Sequence, residues 1–193
     1  MKIIEITKKL TNINKRIFNI VDLGKIFNSV NKNTIYKTAE RLVNNGILKR
    51  LNKGLYINTA KAPDIFEIAN YLYTPSYISL ESALYRYGVI SQSPYLITSV
   101  TPKKPKKIIA EGTDFEYVHI TAKYFFGYVS DKGILIATRE KALIDLLYLI
   151  SKKARRFNLT NLDLKEIDRK RFKAYLKHYS YLPLINLLKR ITI

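Results

Sequence analysis

Cationic and amide side chains share one face of a predicted helix in the first quarter of this sequence. Apolar residues recur every three or four positions between Asn31 and Gly46, which predicts a helix capped by Asn31 or Asn33 and ended by Gly46. The opposite face is polar, and Glu40 is its only acid. Lysine, arginine, threonine and amide groups donate hydrogen bonds to phosphates and to base edges, so this face is a candidate for contact with nucleic acid.

A basic hairpin is predicted directly after this helix. Asn52-Lys53-Gly54 joins two short strand-like segments, 47–51 and 55–57. Together, the helix and the hairpin supply the candidate DNA contacts, which are Lys32, Asn33, Thr34, Tyr36, Lys37, Arg41, Arg50, Asn52 and Lys53. Tyr36 and Lys37 are the predicted base readers, and Lys53 is a predicted backbone contact.

Two further basic clusters lie later in the chain. The first comprises Lys103, Lys104, Lys106 and Lys107, and the second comprises Lys152, Lys153, Arg155 and Arg156. Each cluster is either a solvated surface or part of a second phosphate-binding patch.

The elements around the helix follow a recognisable order. A first amphipathic helix over 3–13, a short strand over 17–21 and a short helix over 22–27 precede the turn and the polar-faced helix. Helix, strand, helix, turn, helix and basic hairpin is the winged helix-turn-helix arrangement. Its third helix fits the major groove of DNA, and its hairpin can lie along the backbone or the minor groove. Winged helices also act as protein–protein modules, which is the alternative interpretation.

The rest of the chain predicts a second domain. Helices are expected from Asp64 and over 78–84, followed by short strands at 95–101, 115–120, 124–129 and 133–137. Thr138 is expected to cap an apolar helix, with further helices at 167–178 and 182–193. The predicted fold is therefore α+β, with a winged helix-turn-helix domain at 1–60 and an α+β domain at 61–193 that holds a small, mostly antiparallel sheet and flanking helices.

Composition narrows the classes of function. The 193 residues include 34 Lys and Arg against 15 Asp and Glu, a net charge of +19. Residues 1–60 and 151–193 each carry 12 basic and 3 acidic residues, so the excess lies at both ends, as expected for a protein that binds a polyanion. An AT-biased coding sequence would also raise the lysine count. The absence of Cys and the presence of only two His argue against a zinc site, so no metal or cofactor is expected.

No apolar run is long enough to span a membrane, so we expect a cytoplasmic protein with no membrane partner. An enzyme is also not expected, because the seven glycines are scattered and form no phosphate-binding loop. The enzymatic alternative is a metal-dependent nuclease built on an acid-x-Lys spacing. Its candidate residues are Asp163, Lys165, Asp168 and Lys170, with Asp114 or Asp131 as a distant partner. We interpret Asp163 and Asp168 as helix caps and solvated surface, and Glu81 as a residue that caps or bridges within its domain.

Several motifs resemble a known family. They are NTIYKTAERLVNNGILKRLNKGLYI (33–57), PSYISLESALYRYGVI (75–90), ITSVTPKKPKKI (97–108), and Glu-Lys-Ala-Leu followed by Asp-Leu at 140–146. In this order they resemble the AbiEi-type antitoxins, which are winged-helix regulators in type IV toxin–antitoxin modules of bacterial abortive infection. The resemblance covers residues 1–150 in register and is loose over the last forty. Gly24 departs from it, since the family usually has a helix-favouring residue there.

The resemblance implies two roles. The N-terminal domain would bind inverted repeats in its own promoter and repress the operon in a phage-defence system. The C-terminal domain would counter a nucleotidyltransferase-like toxin without forming a stable complex with it. A stand-alone transcriptional regulator with no toxin is the alternative within the same family.

Overall fold

A computed structural model describes residues 3–189, and the chain divides after Leu72 into two compact units. The elements of the first unit are α1 (Ile3–Asn12), β1 (Ile17–Asn19), α2 (Ile20–Phe27), α3 (Lys32–Asn44), β2 (Leu48–Asn52), β3 (Leu55–Asn58) and α4 (Ile65–Leu72). Those of the second unit are β4 (Tyr77–Ile78), α5 (Leu80–Arg86), β5 (Ile97–Thr101), β6 (Lys106–Ala110), β7 (Thr113–His119), β8 (Tyr128–Asp131), β9 (Ile134–Ala137), α6 (Arg139–Ser151), α7 (Arg169–Leu176) and α8 (Leu182–Leu188).

One apolar core joins α1, α2 and α3 to a small sheet. Ile6 and Leu10 of α1 pack in the same buried cluster as Leu23 of α2 and Leu42 of α3. The sheet is antiparallel, with β3 between β1 and β2. The element order predicted from the sequence for residues 3–58 is confirmed.

Gly24 has a packing reason that helix propensity does not reveal. A Cβ atom on Gly24 would lie 2.9 Å from the carbonyl oxygen of Ser29 and 3.0 Å from Cδ1 of Ile35. The Ser29 amide donates to the carbonyl of Gly24 at 3.0 Å, which closes the turn between α2 and α3. Any larger residue would push α3 away from α2, so the low helix propensity of glycine is offset by close packing.

The division between the two units lies twelve residues beyond the predicted boundary at residue 60. Helix α4 belongs with the first unit, because Glu67 forms an ion pair with Arg16. Glu67 Oε2 lies 3.3 Å from Arg16 Nε. Lys15 also lies 5.7 Å from the ring centroid of Tyr71. These contacts place the 58–63 segment inside the first unit rather than between units.

The second unit contains a six-stranded sheet in the order β6-β7-β5-β4-β9-β8. The predicted α+β class is confirmed, but two strand pairs, β4–β9 and β5–β7, are parallel. The predicted strand at 124–129 is wrong, because Ala122–Tyr124 forms a 3₁₀ turn and β8 begins only at Tyr128. Strand β4 was also not predicted, and the helix predicted over 78–84 begins only at Leu80, because Tyr77 and Ile78 pair with β5 in the sheet. Strand β6 was not predicted either. Its lysines and the preceding Pro105 had indicated a loop.

Helix α6 is the central helix of the second unit. Thr138 caps it as predicted, and its hydroxyl accepts a hydrogen bond from the Lys141 amide at 3.3 Å. Every residue from Glu140 to Leu149 is buried, and α5, α7 and α8 pack against the helix. The helix predicted at 182–193 is α8 as far as Leu188, and its last four residues lie outside the described range. Within residues 3–189, no helix is both long and apolar enough to cross a membrane.

Candidate nucleic-acid interface

The N-terminus of α3 is held by its cap. Asn31 is the N-cap residue, and its side-chain oxygen accepts hydrogen bonds from the amides of Asn33 and Thr34 at 2.9 and 3.3 Å. This satisfies two of the free donors of the first turn and fixes the direction in which α3 starts. Ile35, Ala39 and Leu42 anchor the inner face of the helix in the core.

The outer face of α3 presents most of its predicted contacts to solvent. Lys32, Asn33, Thr34, Lys37 and Arg41 are all exposed. Asn33, Lys37 and Arg41 follow each other at four-residue intervals, so they form one continuous row along the helix. The three predicted cations of α3 have no salt bridge within the described part of the chain.

Tyr36 differs from its neighbours. It is half-buried, and its hydroxyl oxygen lies 3.4 Å from where a Cβ atom would stand on Gly54. Gly54 is the turn residue of the hairpin and has a φ of +75°, a conformation that favours glycine. Tyr36 therefore lies between α3 and the hairpin turn, which the sequence did not reveal when it indicated a base reader.

The hairpin carries the other predicted contacts. Arg50, Asn52 and Lys53 are exposed, and the side-chain oxygen of Asn52 accepts a hydrogen bond from the Lys53 amide at 2.7 Å. The register of β2 against β3 shifts between Arg50 and Asn52, so the strand pairing is irregular just before the turn. The structure thus brings eight of the nine predicted residues to the exposed surfaces of α3 and the adjacent hairpin.

The basic cluster at 103–107 is not one loop. Lys106 and Lys107 belong to β6, at an edge of the large sheet. Lys107 pairs with Glu116 at 3.7 Å, and Lys103 Nζ donates to the carbonyl oxygen of Thr74 at 2.6 Å. Lys104 is exposed. Lys106 Nζ lies 5.3 Å from the ring centroid of Tyr73, so three of the four ammonium groups already have protein partners.

Arg155 is misassigned as a surface cation. Its Nε and Nη2 donate to Glu81 at 2.8 and 2.9 Å, and its Nη1 donates to Glu116 at 2.5 Å. Burial opposes the charge, but the hydrogen bonds and charges of Glu81 and then Glu116 raise the pKa of Arg155. Arg155 therefore ties α5 and β7 to the segment after α6, and Glu81 bridges within its unit, as predicted. Lys152, Lys153 and Arg156 are exposed.

A buried ionic centre in the second unit was missed from the sequence. Lys141 and Asp145 form an ion pair on α6, four residues apart, and both side chains are 0% exposed. Asp145 Oδ2 also accepts from the hydroxyls of Ser79 and Tyr77 at 2.8 and 3.0 Å. The Tyr179 hydroxyl donates to Oδ1 at 3.4 Å, and Lys141 Nζ donates to Tyr77 at 2.9 Å. The i, i+4 spacing of a Lys and an Asp in a strongly apolar helix was the available signal.

Burial governs the protonation of this centre. It lowers the pKa of Lys141 and raises that of Asp145, while the charge of each partner opposes the shift. Burial also raises the pKa of Tyr77 and of Tyr179, so both phenols stay protonated and act as donors. The aromatic rings of Phe126, Tyr77 and Tyr179 lie 5.1 to 5.8 Å from Lys141 Nζ. The side chains of the ion pair are fully buried, and the groups of the centre bond to one another.

The acids of the nuclease alternative have other roles. Asp168 is the N-cap of α7 and accepts from the Lys170 and Arg171 amides, and Asp131 pairs with Arg86 at 3.4 Å. Asp163 is exposed and pairs with Lys165 at 3.7 Å, while Asp114 lies exposed on β7. In the described range, no group of three or more His, Asp or Glu side chains could hold a metal ion.

No protein-family model matches the chain, and no curated protein matches it.

Proposed function

We propose that the first unit is a winged helix-turn-helix domain, and that the chain is a sequence-specific repressor that binds double-stranded DNA at inverted repeats in its own promoter. The observation that supports this is the row of exposed amide and cationic side chains on α3, beside a hairpin that adds Arg50 and Lys53. Helix α3 has 13 residues and is about 20 Å long, and the major groove admits a helix of this diameter.

The exposed residues fall into groups according to the part of the DNA that each is proposed to contact. Asn33, Thr34 and Lys37 lie in the first two turns of α3, the part of a recognition helix that contacts base edges. Lys32 and Arg41 contact phosphates in this proposal. Arg50, Asn52 and Lys53 contact the backbone or the minor groove beside the helix. Tyr36 acts indirectly, by holding the hairpin turn against α3.

The antitoxin part of the proposal depends on the resemblance of residues 1–150 to AbiEi-type proteins. In that role the chain counters a nucleotidyltransferase-like toxin encoded by a neighbouring gene, in a phage-defence system. The full chain with Lys37→Ala should then still rescue cells that express this toxin, because the second unit is unchanged. If the folded wild-type chain failed to rescue these cells, the antitoxin role would be refuted and a stand-alone regulator would be the remaining interpretation.

The deciding experiment compares two DNA duplexes across a salt titration. One is the DNA directly upstream of the gene, and the other is a scrambled duplex of equal length and composition. Release of counterions contributes equally to both, so it cancels in the ratio of the two dissociation constants. We expect a promoter preference well above about tenfold that persists as salt rises. Equal, steeply salt-dependent binding to both duplexes would refute base reading.

A further inference from the structure

Helix α7 and the residue that follows it present a stripe of four cations, Arg169, Lys170, Lys173 and Lys177. We propose that this stripe, termed the α7 stripe, binds the phosphate backbone of nucleic acid. It lies in the part of the chain where the family resemblance is loose. It does not require α3 to bind DNA.

The inner face of α7 explains why these cations point outward. Phe172 is 3% exposed, and Tyr175 and Leu176 are half-buried on the same side of the helix. The four cations are exposed: Lys170, Lys173 and Lys177 lie away from this face, and Arg169, three residues before Phe172, lies at its edge. Arg169, Lys173 and Lys177 follow each other at four-residue intervals, so each is about 6 Å further along the axis than the last.

Acids near the α7 stripe offset only part of its positive charge. Helix α7 contains no acid, and the carboxylate of Asp168, which caps the helix, also interacts electrostatically with Lys170. Glu140 lies 3.7 Å from Arg171, which is not part of the stripe, and Glu166 pairs with Arg139. Across residues 3–189, none of the four stripe cations has a salt bridge. Like charges at i, i+4 destabilise a helix, and a bound polyanion would remove that repulsion.

Nucleic acid fits this surface better than a membrane does. A helix that lies on a membrane exposes an apolar face, whereas the large apolar residues of α7 face the interior of the unit. One strand of duplex DNA carries a phosphate about every 3.4 Å along its axis. A stripe about 12 Å long therefore faces about three or four phosphates of one strand.

The test compares two variants, each of which loses four positive charges at different positions. The first variant of the full chain carries Arg169→Gln, Lys170→Gln, Lys173→Gln and Lys177→Gln. The control removes four other exposed second-unit cations, with Lys123→Gln, Lys132→Gln, Lys165→Gln and Lys189→Gln. Circular dichroism establishes that both variants are folded. Binding to the scrambled duplex is then titrated across KCl concentrations.

Each phosphate contact contributes about 0.9 to the slope of log K against log salt. We expect the α7 variant to lose about 3 from this slope and the control less than about 1. Equal losses, or no loss in the α7 variant, would overturn the proposal. Binding of the wild type to phosphatidylserine vesicles, lost in the α7 variant while DNA binding is unchanged, would overturn it in favour of a membrane.

Failure of this proposal is separable from failure of α3 as the base reader. Lys37→Ala measures α3 through promoter preference, and the α7 variant measures the stripe through the salt slope on scrambled DNA. A normal slope in the α7 variant with a lost preference in Lys37→Ala overturns the stripe alone. The reverse pattern overturns base reading alone.

Discussion

Positive charge on α3 and the hairpin of the first unit is placed differently from that of Lys141 and Arg155 in the second unit. On α3 and the hairpin, the predicted cations are exposed and have no salt bridge within residues 3–189. In the second unit, Lys141 is fully buried against Asp145, and Arg155 is held by two carboxylates. A buried charge that loses its partner is costly, whereas an exposed charge can be removed with little effect on folding. Net charge alone therefore does not indicate which lysines bind a partner and which hold the fold.

Breaking the buried ion pair should give the largest effect. Lys141→Ala or Asp145→Ala leaves one buried charge without its partner and should lower the free energy of unfolding by about 3–5 kcal/mol. Urea denaturation followed by circular dichroism measures this. The double variant Lys141→Met/Asp145→Leu removes both charges and should cost less than the sum of the two alanine variants. A cost below about 1 kcal/mol for both single variants would mean that the pair does not hold the fold.

Arg155 and its neighbour provide a matched pair. Arg155→Ala leaves Glu81 and Glu116 half-buried without their shared donor, and should cost about 2–3 kcal/mol in the same denaturation experiment. Arg156→Ala removes an exposed cation and should change stability by less than about 0.5 kcal/mol. If both variants instead kept full stability and weakened DNA binding equally, Arg155 would be a surface contact after all.

Variants of the exposed cations on α3 and the hairpin should change binding without changing stability. Lys37→Ala should weaken promoter binding by about 1–3 kcal/mol more than scrambled-DNA binding, because a base-edge contact is lost. Lys53→Ala should weaken both duplexes alike and reduce the salt slope by about 1. Equal losses on both duplexes for Lys37→Ala would remove it from the base readers.

Variants of Tyr36 distinguish a residue that contacts DNA from one that positions the hairpin. Tyr36→Phe keeps the ring between α3 and the hairpin turn at Gly54, so promoter preference should be retained within about twofold. Tyr36→Ala removes this packing and should lower promoter binding, as the sequence also predicted, but through a displaced hairpin. A loss in Tyr36→Phe as large as in Tyr36→Ala would instead indicate that the hydroxyl contacts DNA.

The smallest expected effect is the pH dependence of the α7 cap. Hydrogen bonds from the Arg171 amide and then the Lys170 amide lower the pKa of Asp168. An acid whose pKa is lowered by folding stabilises the fold above its unfolded pKa of about 3.9, and this contribution is lost as pH falls further. Asp168→Asn keeps a capping oxygen without a titrating charge. Thermal unfolding from pH 6 down to pH 3 should show the wild type losing more stability than Asp168→Asn.

The sequence predicted elements whose signals are local. Three signals each specify their structure within a few residues. They are Asn31 before a helical apolar pattern, Asn52-Lys53-Gly54 between two strand-like segments, and Thr138 before an apolar run. These signals were enough to place the exposed face of α3. They are enough because capping and turn formation depend on neighbouring backbone groups.

Features that depend on distant partners were not predicted. Asp145 receives hydrogen bonds from residues 34 to 68 positions away, so its spacing to Lys141 alone did not reveal a buried centre. Arg155 donates a hydrogen bond to Glu81, which lies 74 positions earlier in the chain. Strand β6 has little alternation of its own and forms because β7 pairs with it. The contacts of α4 with Arg16 and Lys15 likewise moved the boundary between the units.

The lysines of β6 also affect how copies of this chain meet one another. Strand β6 is an unpaired edge of the six-stranded sheet, and Ile109 on it is 77% exposed. Such an edge invites another chain to add a strand, the first step of aggregation. Lys106 and Lys107 on this strand, with Lys104 before it, place exposed cations along this edge. Part of the positive charge of the chain therefore discourages self-association before any partner is bound.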